Sequence, residues 1–146
     1  MAKSKGRPQK GRLADMTIRP AGDDCYEPPP DEDCEEFPTV IDLAPNVRMG
    51  VRTTYLRGTS RMVYFAIWQA IKVDGKWENV ARVDCHHGTI HRHDFTRQGD
   101  NHVVVLDVIP VAGGASEVLD SWCTQVELIM QNEWEDNLRR WRGDRE

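Results

Sequence analysis

Asp74-Gly75 stands between two runs rich in β-branched and aromatic residues, Met62–Val73 before it and Trp77–Cys85 after it. Such a link predicts a tight hairpin, because a two-residue type I′ turn needs positive φ at both central positions and Asp-Gly supplies them at low cost. The turn also dictates register. Numbering outward from it, Phe65 faces Asp84, Ile67 faces Arg82 and Gln69 faces Val80. His87-Gly88 is a second tight-turn signal. A two-residue loop there sets Asp84 opposite His91, Arg82 opposite His93 and Val80 opposite Phe95.

The remaining elements extend this pattern. Val51–Leu56 reads as a strand ended by Gly58-Thr59-Ser60, Ile90–Thr96 as another, and His102–Ile109 as a last one before Pro110 and Gly113-Gly114. From Ser116 the period changes to steps of three and four: Val118, Leu119, Trp122, Cys123, Val126, Ile129, Met130, Trp134, Leu138 and Trp141. That stripe predicts an amphipathic helix capped by Ser116, with Glu117 at its positive end, Arg139, Arg140 and Arg142 at its negative end, and Gly143 as the stop. The fold class expected is α+β, an antiparallel meander of four to five strands with one long C-terminal amphipathic helix packed on one face.

Charge divides the chain. Residues 1–19 carry six cations against one anion, residues 20–42 carry nine anions and no cation, and residues 43–146 carry 13 cations and 14 anions. The formal net charge of −5 therefore describes none of the parts. The expected organisation is a basic flexible arm over 1–19, an acidic Pro-rich linker over 20–42 containing Pro28-Pro29-Pro30, and an α+β domain over 43–146. The arm could touch phosphates or remain a solvated tail. No run is apolar enough to span a membrane, and no apolar stretch follows the basic start, so the expectation is a cytoplasmic protein without a membrane partner. The four cysteines, Cys25, Cys34, Cys85 and Cys123, lack the close pairing of a zinc knuckle and are expected reduced.

Alternation gathers Arg82, Asp84, His86, His91 and His93 on one side of the sheet. The other side, the seat for the helix, is expected to hold Tyr64, Ala66, Trp68, Ala70, Trp77, Ala81, Val83, Cys85 and Ile90. Arg92 and Asp94 intrude there and need mutual pairing or an edge. Four of the five histidines fall between His86 and His93. Three readings fit them. A His-x-His pair aims two imidazoles the same way, as a metal site completed by Asp84 or His86 requires. One imidazole could instead take a proton from a phosphodiester substrate while another supplies one, with Arg82 stabilising the developing charge. The third reading is a polar sheet face tied by ordinary cross-strand pairs.

The run from Arg82 to His93 resembles an Arg-x-Asp-x-x-His-Gly-x-x-His-x-His pattern found in small, poorly characterised prokaryotic and phage proteins, some of them toxin members of toxin–antitoxin pairs. The resemblance covers about residues 60–142 and implies a nucleic-acid-directed activity in the cytoplasm. On that motif the site residues are Arg82, Asp84, His87, His91 and His93. His86 has the face parity; His87 has the motif match.

No Walker-type loop and no Gly-x-Ser-x-Gly elbow occurs. Gly113-Gly114-Ala115-Ser116 could hold an anion at the helix start, although turn and cap duty suffices to account for it. Cys85 lies beside the histidines, but its core-side parity argues against a nucleophile. The leading expectation is a toxin-like ribonuclease acting through the His/Arg/Asp face, with RNA or a cognate antitoxin as partner. The alternatives are a non-enzymatic protein-binding module or antagonist, and a metal-dependent enzyme using the His-x-His pair. Neither cofactor identity nor oligomeric state is legible.

Overall fold

The structure, a computed structural model, describes residues 25–143. The basic arm and the beginning of the acidic segment lie outside the described residues. Six strands follow in chain order: β1 (Cys34–Ala44), β2 (Val47–Leu56), β3 (Met62–Val73), β4 (Lys76–His86), β5 (Thr89–Phe95) and β6 (Asn101–Val108). They form one antiparallel sheet in sequential order, closed by α1 (Ala115–Arg142). The class is α+β as expected, with six strands rather than four to five.

The extra strand comes from the stretch read as linker. Cys34–Ala44 pairs along β2, with Phe37, Thr39 and Ile41 opposite Thr53, Val51 and Met49. Its Pro38 is tolerated because β1 is an edge strand, where a missing N–H breaks no ladder. The residues before it are also docked. The Tyr26 hydroxyl donates to the Val63 carbonyl at 2.7 Å, and the backbone at Cys25 and Tyr26 passes so close to Gly88 that a Cβ there would sit 3.1 Å from it.

Both tight turns form as expected. Asp74 and Gly75 have φ of 53° and 80°, His87 and Gly88 of 51° and 78°. The second hairpin keeps its register throughout, so Asp84 opposes His91 and Arg82 opposes His93. The first does not. Val73 to Ala70 pair with Lys76 to Asn79, but a bulge then skips Val80, and Gln69, Trp68, Ile67 and Ala66 oppose Ala81, Arg82, Val83 and Asp84. The expected Phe65–Asp84, Ile67–Arg82 and Gln69–Val80 pairs are therefore displaced by one residue. A one-residue slip exchanges faces. Phe65, Ile67 and Gln69 go to the helix side, while Tyr64, Ala66, Trp68, Ala70 and Trp77, expected there, lie on the open side.

Helix α1 packs chiefly on β3. Gly114, not Ser116, is its N-cap, in the left-handed region at φ 87°. The Ser116 hydroxyl instead accepts the Met62 N–H at 3.0 Å, tying the helix start to β3. Gly143 ends the helix as expected, its N–H reaching the Arg139 and Arg140 carbonyls. Two apolar clusters result. One joins Met49, Val51, Phe65, Ile67, Val83 and Ile90 to Leu119, Cys123, Val126 and Met130; the other joins Val47, Ile71 and Val80 to Leu138 and Trp141. Trp122 and Trp134 pack against these clusters, so all three helix tryptophans serve packing.

A polar network is inserted between the clusters. Arg92 and Asp94 pair with each other at 2.9 Å, as their intrusion on the helix side requires. Arg92 also donates to Asn137 Oδ1, and Asn137 Nδ2 donates to Gln69 Oε1, both at 3.0 Å. Gln69 Nε2 donates to the Trp134 carbonyl, and Arg140 reaches both Asp94 and the Val80 carbonyl. This satisfies the amides of Gln69 and Asn137, which are buried.

Candidate functional site

The sheet face away from α1 carries two adjacent rows. One runs Val40, Gly50, Trp68, Arg82, His93, Val103; the other runs Pro38, Arg52, Ala66, Asp84, His91, Val105. Each neighbour in a row is a cross-strand partner, close enough for direct side-chain contact.

Asp84 is the centre. Its Oδ2 accepts from Arg82 Nε at 2.7 Å, and its Oδ1 lies 3.5 Å from His93 Nε2. That second distance is longer than an ordinary hydrogen bond. Oδ1 is enclosed and has no closer donor among the described residues. Burial pushes the Asp84 carboxyl up, but His93 and Arg82 outweigh it and hold the group below its usual range. The same pairing works on Arg82. Burial would weaken its hold on its proton, yet Asp84, with help from Tyr64, strengthens it. Arg82 also lies 5.7 Å from the Trp68 ring centroid, and Arg52 flanks the same ring at 6.0 Å. Trp68 can lie this close to β2 only because position 50 is glycine: a Cβ there would fall 2.2 Å from the indole.

The histidines form a file. His86, His91 and His93 follow at ring spacings of 5.8 Å, and His93 stacks on Phe95 at 6.0 Å. Burial, reinforced by the other histidines and opposed by Asp84, lowers the His91 pKa from 6.5 to about 4. At neutral pH this imidazole is uncharged. Its tautomer follows from its neighbour. The Thr89 hydroxyl has one proton, which it donates to the His86 carbonyl at 2.9 Å; His91 Nδ1, also 2.9 Å away, must then donate to Thr89. His91 Nε2 is left as the bare acceptor.

Of the sequence-derived residues, Arg82, Asp84, His91 and His93 share this face. His87 does not; it occupies the turn, with its ring 3.9 Å from that of His86. Face parity favours His86, and the motif position belongs to the turn. Trp68, Gly50 and Thr89 were missed. Nothing in the local sequence marks the bulge at Val80 that brings Trp68 to this side.

Among the described residues no group of three or more His, Cys, Asp or Glu side chains is arranged to hold a metal ion. His91 and His93 stand side by side rather than converging, and Asp84 is engaged by Arg82. Cys85 is turned away: its thiol contacts the Phe65 carbonyl at 3.6 Å, and burial pushes its pKa up to about 12. All four cysteines are free. No helix of the described residues is long and apolar enough to cross a membrane.

Fold and site together define an α+β domain whose six-stranded meander buries one face under a helix and presents an Arg-Asp-His array on the other. The chain belongs to the family described as Domain of unknown function (DUF7718), which matches residues 31–116. That span contains all six strands and ends as α1 begins, so it takes in the strand that charge composition concealed. No curated protein and no solved structure matches the chain.

Proposed function

We propose that the open face cleaves RNA by metal-free acid–base chemistry, as a toxin-like cytoplasmic ribonuclease whose activity a cognate antitoxin would hold in check. The observation that carries this reading is the uncharged His91 with its Nε2 lone pair bare, beside His93 and Arg82. His91 Nε2 takes the proton of a ribose 2′-hydroxyl as that oxygen attacks the adjacent phosphorus. The P–O5′ bond breaks, and His93 delivers its proton to the departing O5′. The products are a 2′,3′-cyclic phosphate and a 5′-hydroxyl end. Asp84 holds Arg82 through Nε, which fixes the guanidinium beside the imidazoles to meet the charge that builds on the phosphoryl oxygens. A ring spacing of 5.8 Å lets one phosphate lie over both imidazoles.

The test is cleavage of a labelled single-stranded RNA by purified full-length protein, run in EDTA and, separately, with excess divalent metal. Arg82→Ala and His93→Ala should each lower the rate by about 10²–10⁴-fold while retaining the wild-type circular dichroism spectrum. Absence of cleavage by wild type, or activity unchanged in both variants, would sink the reading. Activity that requires added metal would replace it with the metal-dependent alternative.

A further inference from the structure

The two edges of the sheet are built differently. β1 carries Glu35, Glu36, Pro38 and Asp42, and its Phe37, Val40 and Ile41 are interrupted by these charges and by the proline. Such residues are what edge strands use to refuse another strand. β6 has none of them between Asn101 and Asp107: its sequence is Asn-His-Val-Val-Val-Leu-Asp-Val. Val103, Val104 and Val105 are 45%, 42% and 38% exposed, and because they alternate they place apolar surface on both faces of the same open edge. The one irregularity against β5 falls at Leu106, which leaves Asn101–Val105 in regular pairing.

We infer that β6 is a self-association edge, and that its occupant is β6 of a second copy of this chain, paired antiparallel about a two-fold axis at Val104. The sequence is self-complementary about that point. Val104 meets Val104 and Val103 meets Val105, the positions that stay in regular alternation in both copies before the bulge at Leu106. No two like charges face each other, and β-branched residues meet at all three central positions, the pairing that suits adjacent strands best. An isologous contact needs this kind of self-matching patch, whereas a foreign strand would not. The axis stands perpendicular to the sheet, so the joined sheet has twelve strands and keeps the same face outward in both copies. The four valines at positions 103 and 105 form a floor between the two Arg82–Asp84–His93 arrays, and the two β5 strands lie about 14 Å apart, three strand spacings. The inference does not depend on what those arrays catalyse.

Sedimentation velocity of the full chain over a range of concentrations tests it. A seam this short gives a reversible equilibrium, with dissociation at about 10–100 μM. Val104→Lys, which sets two ammonium groups face to face at the axis, should weaken dimerisation at least tenfold; Val104→Thr should leave it near wild type; and Val40→Lys on the β1 edge should not change it. If Val104→Lys does not fold, Val103→Glu tests the same seam one position off the axis. A chain that stays monomeric to about 1 mM, species that grow beyond the dimer, or a dimer that Val40→Lys dissociates and Val104→Lys spares would each overturn the inference.

Discussion

The pH dependence of stability should carry a signature of His91. In the folded protein its pKa falls from 6.5 to about 4, chiefly through burial. In the unfolded chain it returns to the ordinary value. Between these values the unfolded state binds a proton that the folded state refuses, so acidification through this window favours unfolding. The His91 contribution is therefore intact above pH 6.5, is lost progressively toward pH 4, and adds no further slope below it. At about 1.36 kcal/mol per tenfold change in proton affinity, the linkage between pH 7 and pH 4.5 amounts to about 2.4 kcal/mol at full value. The ring is only partly buried, and screening by solvent reduces this to about 1.5 kcal/mol.

Other groups titrate in the same range, so the informative quantity is a difference. His91→Asn removes the titration and keeps an amide where Nδ1 meets the Thr89 hydroxyl. Urea unfolding of both proteins at pH 7.0, 6.0, 5.0 and 4.5 should show the wild type losing about 1.5 kcal/mol more than the variant. Parallel curves, separated by a shift of less than about 0.5 kcal/mol across the window, would refute the assignment of His91 as a neutral imidazole, as would a variant that loses more than the wild type. Either result would also remove the bare Nε2 on which the proposed chemistry depends.

Three further outcomes follow from the packing. Gly50→Ala should cost about 1–3 kcal/mol in unfolding free energy and shift tryptophan emission, because its Cβ would fall 2.2 Å from the Trp68 indole and drive it from between Arg52 and Arg82; an unshifted spectrum with wild-type stability would contradict that contact. Asn137→Ala strands the Gln69 amide oxygen and an Arg92 nitrogen in the interior, and should cost about 2–4 kcal/mol, with a double-mutant cycle against Gln69→Ala showing coupling above about 0.5 kcal/mol; additive losses would count against the network. His87→Asn should keep both fold and RNA cleavage, since asparagine accepts the left-handed conformation at φ 51°, while His87→Val should cost about 1–2 kcal/mol by chemical denaturation; loss of cleavage in a folded His87→Asn protein would return His87 to the chemistry.

What could be read from the sequence, and what could not, separates along physical lines. A tight turn propagates register outward only as far as the ladder stays regular. The His87-Gly88 hairpin has no irregularity, so Asp84–His91 and Arg82–His93 followed from the turn alone. The Asp74-Gly75 hairpin was just as legible at its tip, yet beyond Ala70 its predictions fail by one residue. The bulge at Val80 has no propensity signature; it places Val80 in the second apolar cluster under α1 and also lets Arg140 bond the Val80 carbonyl, both tertiary demands. Trp68 was assigned to the wrong face for this reason alone. β1 was hidden by a different effect. Six of the nine anions in residues 20–42 precede Cys34, so a composition window averaged a charged approach with a strand whose own alternation, Phe37, Thr39, Ile41 and Leu43 against Glu36, Pro38, Val40 and Asp42, was intact. Arg92 and Asp94 lie between these cases. Their mutual pairing could be anticipated because two charges on a core-facing strand must be neutralised, but Asn137 and Gln69, which complete that pairing from 45 residues ahead and 23 behind Arg92, could not. Local chemistry thus placed Arg82, Asp84, His91 and His93 on one face, and long-range packing decided that Trp68 lies beside them.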